Sequence, residues 1–71
     1  MFATRIWTDR ENVQHTEQVW INPLDVSTLR PRGSHQTLIK FRSSRPDMVV
    51  GGSLDMTAAL CSAGLRGVGP L

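Results

Sequence analysis

Between Gln36 and Ser43 the chain alternates with a period of two: Thr37, Ile39 and Phe41 fall on one side of an extended backbone, and Leu38, Lys40 and Arg42 on the other. That pattern is the signature of a β-sheet with one packed face and one wet face. A strand of this kind needs neighbours, so the rest of the chain has to be read for segments that pair with it.

The segments are there. Residues 1–8 put Phe2, Thr4, Ile6 and Thr8 on one side and Ala3, Arg5 and Trp7 on the other, which reads as a first strand. Asp9 to Asn12 is a polar turn, and Val13, His15, Glu17, Val19 and Ile21 then alternate with Gln14, Thr16, Gln18 and Trp20, so a hairpin is expected. The second strand becomes apolar only at Val19, and its first half is expected to project as a solvated, mobile ribbon. Asn22-Pro23 stops it, with asparagine capping a short turn that proline opens. Val26 to Arg30 reads as a third strand ending at Pro31, followed by a loop over 32–35. After the alternating strand, residues 44–47 turn the chain, and Met48 to Val50 is a last short strand cut off by Gly51-Gly52, which closes the sheet as a meander.

Ser53 then caps a helix with Asp55 in its first turn, Leu54, Ala58 and Cys61 at helical spacing, and a stop at Gly64. Met56, Leu60 and Ala63 make a second apolar stripe, for broad packing on the sheet or for a partner. Residues 65–71 have no periodicity and read as a flexible tail. The expected fold is α+β: one domain over residues 1–64, a four- or five-stranded, mostly antiparallel sheet with one C-terminal helix packed on one face.

Size limits what such a domain can do. With 71 residues it holds one small core, and chains this short bury only about 60% of their unfolded surface, so disulfides, metals or self-association commonly supplement them. Cys61 has no second cysteine to pair with, and together with His15 and His35 it lacks the spacing of a structural zinc site. No metal and no cofactor are expected, and self-association stays open. Apolar runs are far shorter than the roughly 20 residues of a membrane span, and the start lacks a leader pattern, so a cytoplasmic protein with no membrane partner is expected.

Catalysis needs convergent reactive groups in a pocket, which a core this small rarely encloses. Cys61 lies on the apolar helix stripe, away from the helix start that would activate a thiol, and reads as core. His15 and His35 read as solvated, without a carboxylate at a spacing that makes a triad. Gly51-Gly52-Ser53 lacks the longer glycine pattern and lysine of a phosphate loop; a turn needing positive φ accounts for it.

Charge is more informative. Net charge is +2 and the pI near 9.5, with Arg30, Arg32, Lys40, Arg42 and Arg45 gathered on one hairpin without an intervening acid. These five cations can solvate the sheet, pair with acids on a protein, or meet nucleic-acid phosphate. Trp7 and Trp20 can sit across from each other on one face of the paired strands, as core or as an exposed docking patch, with at least one expected in the core.

The run Trp20-Ile21-Asn22-Pro23-Leu24-Asp25-Val26, with Thr37 to Phe41, Met48 to Val50 and Ser53 to Met56, resembles the small FlbD-like proteins associated with bacterial flagella and swarming. Those share an apolar residue before Asn-Pro, a hairpin, then a Ser-initiated helix. This chain differs in a longer segment before Trp20, an arginine-rich hairpin and a Gly-Pro tail. The resemblance implies a regulatory module that contacts other proteins.

The expected function is therefore non-enzymatic: a small regulator or inhibitor of bacterial or phage type, docking on a larger protein complex through Arg30, Arg32, Lys40, Arg42 and Arg45 with Trp7 and Trp20. The alternatives are a nucleic-acid-associated, transcription-factor-like protein gripping backbone phosphate, and a homo-oligomeric component using an exposed sheet edge and the second helix stripe.

Overall fold

The computed structural model describes residues 1–68, with side chains through Leu65. Its elements are β1 (Phe2–Thr8), β2 (Gln14–Trp20), a 3-10 turn (Pro23–Asp25), β3 (Val26–Arg32), β4 (Gln36–Phe41), β5 (Met48–Gly51) and α1 (Leu54–Val68). The five strands form one antiparallel sheet in the order β2-β1-β5-β4-β3. It is the α+β architecture expected. The last strand of the meander lies against β1, so the two terminal halves of the sequence meet in mid-sheet.

Register decides which residues share a side. Thr37 pairs with Val50 and Ile39 with Met48; Leu29 faces Ile39; Val50 faces Arg5. Directly opposed residues project to the same side of a pleated sheet. One side therefore carries Ala3, Arg5, Trp7, Val19, Leu29, Thr37, Ile39, Phe41 and Val50, and the helix packs there against β3, β4 and the 3-10 turn. The core is Met1, Ile21, Val26, Ile39, Phe41, Val50 and Cys61, with Ala3, Val19, Leu29 and Met48 around it. Ile21, Ile39 and Val50 are wholly buried, each contributing about 1.5–3 kcal/mol of transfer free energy.

The helix begins where its cap residue says it should: Ser53 Oγ accepts the Met56 N–H at 3.2 Å. Gly52, at φ +106°, makes the strand-to-helix turn and donates its N–H to the His35 carbonyl at 2.8 Å, a backbone conformation that glycine reaches without penalty. Asn22 Oδ1 accepts the Leu24 N–H at 3.1 Å, so the Asn-Pro cap is present too. Because β2 and β3 are the two outer strands, the segment 21–25 carries the chain from one edge of the sheet to the other, and Ile21 and Pro23 are buried on the way.

Several sequence expectations need correction. The helix does not stop at Gly64 but runs through to Val68, so residues 65–68 are helical and only 69–71 of the expected tail lie outside the described residues. β3 continues through Pro31 to Arg32; an outer strand tolerates the missing N–H that an inner one would not. Of the first helix stripe Cys61 is buried and Leu54 and Ala58 half-buried, with Thr57 buried beside them, whereas Met56, Leu60 and Ala63 face outward, so the second stripe packs on nothing within the described chain.

Candidate functional site

Among the described residues, no element packs on the side of the sheet opposite the helix. From the register, Arg30, Leu38 and Val49 lie in one row across β3, β4 and β5, and Arg32, Gln36 and Gly51 in the next. Lys40 and Thr28 are a third pair on the same side. On β1, Ile6 leans over Gly51, where an added Cβ would lie 3.7 Å from Ile6 Cδ1. Ile6, Leu38 and Val49 are half-buried although no described element packs on them; long cationic stems lying along a sheet shield apolar neighbours in this way. At the far end Phe2 faces Trp20, their rings edge to face at 5.2 Å, and they are 65% and 59% exposed.

The sheet is also split where β1 and β5 part, and residues of both sides line the gap. β1 and β5 are joined by one bridge, Arg5 to Val50, and beyond it a cleft of about 390 Å³ lies between Ile6, Trp7 and Thr8 and the stretch Asp47, Met48 and Val49, with Arg32 and Gln36 at its rim. A smaller hollow of about 60 Å³ adjoins Arg30, Leu38, Lys40 and Asp47. Both hollows have mixed walls, in which Ile6, Met48 and Val49 or Leu38 alternate with arginine, lysine, glutamine, threonine and the Asp47 carboxylate.

The arginine-rich hairpin is thus divided. Arg30, Arg32 and Lys40 point to the open side and, among the described residues, enter no ion pair. Arg42 and Arg45 do not join them. Arg42 Nε donates to the Val26 carbonyl at 3.3 Å, and the Arg45 guanidinium lies 4.4 Å over the Phe41 ring and 3.7 Å from Asp25 Oδ2. Asp25 also accepts from the Ser43 N–H and hydroxyl at 3.0 and 2.9 Å. These two arginines fasten the loop after β4 to the start of β3; the acid that engages Arg45, Asp25, lies outside the hairpin in sequence, which is why a count within 30–45 missed it.

The tryptophans do not share a face, because Trp7 opposes His15 on the helix side and Trp20 opposes Phe2 on the open side. Neither belongs to the core: Trp7 is half-buried and Trp20 exposed. Trp7 sits in a ladder on the distal hairpin, with Arg5 4.8 Å above its ring and His15 stacked at 5.2 Å. Arg5 pairs with Glu17 at 3.1 Å, and His15 Nε2 lies 2.7 Å from Asp9 Oδ2. Asp9 Oδ1 accepts the N–H groups of Glu11 and Val13. His15, and then the Val13 N–H, hold the Asp9 carboxyl below its usual value. His15 is therefore not merely solvated: the turn carboxylate six residues back is its partner. His35 is exposed, and Cys61 is buried in the core as expected.

Phe2, Ile6, Leu38, Val49 and Asp47 belong to the open side but were not singled out in the sequence. The alternation carried part of the signal, since Leu38 shares parity with Lys40; joining β1 to β5 required the fold. No helix among the described residues is long and apolar enough to cross a membrane, and they contain no cluster of metal-ligating side chains. No family model matches this chain, and no curated protein or solved structure is significantly similar to it.

Proposed function

We propose that this chain is a non-enzymatic docking module, a cytoplasmic regulator or inhibitor of bacterial or phage type, that binds a larger protein complex through the open side of its sheet. The observation that supports this is the meeting of three cations that enter no ion pair among the described residues, Arg30, Arg32 and Lys40, with the half-buried row Ile6, Leu38 and Val49 on a side that no described element covers. The matching surface has an apolar centre and an acidic rim: apolar contact supplies the affinity, and arginine's planar fork supplies direction toward carboxylates. A sheet face of this kind can supply a large part of the roughly 800 Å² per partner of a specific interface. Contact with other proteins is also what the resemblance to FlbD-like proteins implies. Cys61 is buried in the core, and the His15 ring lies between Asp9 and Trp7.

The test compares two sets of substitutions in capture from bacterial lysate, with and without nuclease, at about 0.15 M salt. Arg30, Arg32 and Lys40 changed together to Ser should release the bound complex while the domain still unfolds in one cooperative urea transition. Arg42→Ser with Arg45→Ser should leave binding intact while lowering stability. Binding retained in the triple variant would refute the open side as the site.

One observation favours a second reading: Phe2 and Trp20 are exposed on the same side as the cations. Single-stranded nucleic acid uses such a combination, rings for stacking and cations for phosphate. Three phosphate contacts would give a salt slope of about −2, so an oligonucleotide titration over a range of salt distinguishes the two.

A further inference from the structure

β2 is an outer strand whose far side pairs with no strand among the described residues. Its sequence around Thr16 is self-complementary: His15 and Glu17 flank the threonine, then Gln14 and Gln18, then Val13 and Val19. A second copy laid antiparallel about an axis through Thr16 sets threonine against threonine, His15 against Glu17 on both sides of the axis, glutamine against glutamine, and Val13 against Val19. Opposed hydroxyls, an imidazole beside a carboxylate and β-branched pairs are all favourable cross-strand combinations. Moving the axis to His15 or to Glu17 would oppose like with like.

The backbone is in phase with this register. At one end of the β1–β2 hairpin Ile21 and Met1 exchange N–H···O bonds of 2.8 and 2.7 Å, and at the other the Asp9 N–H reaches the Val13 carbonyl at 3.0 Å. Pairing between them runs without a break. Antiparallel ladders alternate, so the odd residues of β2 turn N–H and C=O toward β1 and the even ones, Gln14, Thr16 and Gln18, turn theirs outward. Those same three residues meet their counterparts in the two-fold register, giving about six new backbone hydrogen bonds.

The opposite edge is protected: β3 contains Pro31, has an irregularity between Val26 and Thr28, and packs against the helix. β2 has no proline, no lysine and no irregularity, so it lacks the devices that keep an edge from pairing. Val13 is 49% exposed beside it.

The geometry points to a symmetric dimer in which β2 of two copies pairs antiparallel about Thr16, with Glu17 of each copy beside His15 of the other. The two sheets become one, both helices lie on one side, and both open sides lie together on the other. The dimer is independent of the docking reading: it uses the edge and leaves Arg30, Arg32 and Lys40 free, so the docking surface is doubled.

Sedimentation equilibrium of the full chain, from micromolar to about 1 mM, should show the mass rising from one chain to two. Amide exchange at Gln14, Thr16 and Gln18 should slow in step. Thr16→Pro removes an outward N–H at the axis that β1 does not use, and Thr16→Lys brings two cations together there. Each should raise the dissociation constant at least about tenfold with an unchanged circular dichroism spectrum. Thr16→Lys serves if the proline variant fails to fold. The triple Ser variant of Arg30, Arg32 and Lys40 should dimerise as the parent does. A single-chain mass throughout would overturn the proposal, as would a two-chain mass that survives Thr16→Lys, since that places the interface elsewhere.

Discussion

Thr37→Val should destabilise the domain by more than its size suggests, because Thr37 is the middle of a buried relay. Its hydroxyl donates to the Gly52 carbonyl at 3.0 Å and accepts the Thr57 hydroxyl at 3.1 Å. Thr37 is 0% and Thr57 4% exposed, so water cannot replace either bond. Valine keeps the shape but strands the Thr57 donor, at about 1–3 kcal/mol, and removes one bond to Gly52, at about 0.5–1.5 kcal/mol. Thr57 can turn back to the Ser53 carbonyl four residues earlier, which recovers part of the first cost. The expected loss is about 2 kcal/mol, or on the order of 10 °C in Tm for a domain of this size. Thr57→Val removes only the outer donor and should cost about 1 kcal/mol or less. The double variant should be no less stable than Thr37→Val alone, because the stranded donor is gone. Urea unfolding followed by circular dichroism, at one protein concentration so that self-association does not enter, gives all three values. Equal costs for the two single variants, or strict additivity in the double, would refute the relay.

Gly64→Ala should destabilise by about 1–3 kcal/mol despite alanine's better helix propensity, since the new Cβ would lie 2.5 Å from Pro23 Cγ; an unchanged or higher urea midpoint would show that the 3-10 turn yields freely. For pH, the Asp9 carboxyl is lowered in the folded state by His15 and the Val13 N–H, so its contribution is complete above the ordinary carboxylate value and is lost as pH falls through the lowered one. Asp9→Asn should therefore flatten the acid limb of the stability profile below about pH 4, and a limb of unchanged slope would show that another group governs it. Trp20→Ser should leave the unfolding free energy within about 0.5 kcal/mol of the parent, because the ring is 59% exposed; a larger loss would mean that the Phe2–Trp20 pair carries structure.

How much of this was legible beforehand follows from where the information sits. Period-two alternation fixed the inner residues of β4, since Thr37, Ile39 and Phe41 differ from their neighbours within the strand itself. Asn22, Ser53 and Gly52 could be read because capping and positive φ depend on the residue and its next few neighbours. The His15–Asp9 contact spans a single turn, yet it requires the hairpin's closure to be known.

Tertiary structure alone decided the rest. β1 offers Phe2 and Ile6 on one side and Ala3, Arg5 and Trp7 on the other, and local hydrophobicity does not choose between them; the Arg5–Val50 bridge does, and it leaves Phe2 and Trp20 outside. The five cations form one group in the sequence and two in space, because Asp25 and Phe41 engage Arg45 while β3 and β4 turn Arg30, Arg32 and Lys40 to the uncovered side. Gly64 looked like a helix stop and is a point of close approach, where a helix that continues must pass Pro23. By itself the sequence determined which segments extend, turn and coil, since those follow from sterics within a few residues. Which face is covered, which charges stay free and why a glycine is small were decided by contacts between residues far apart in the chain, whose energies exist only once the sheet has closed.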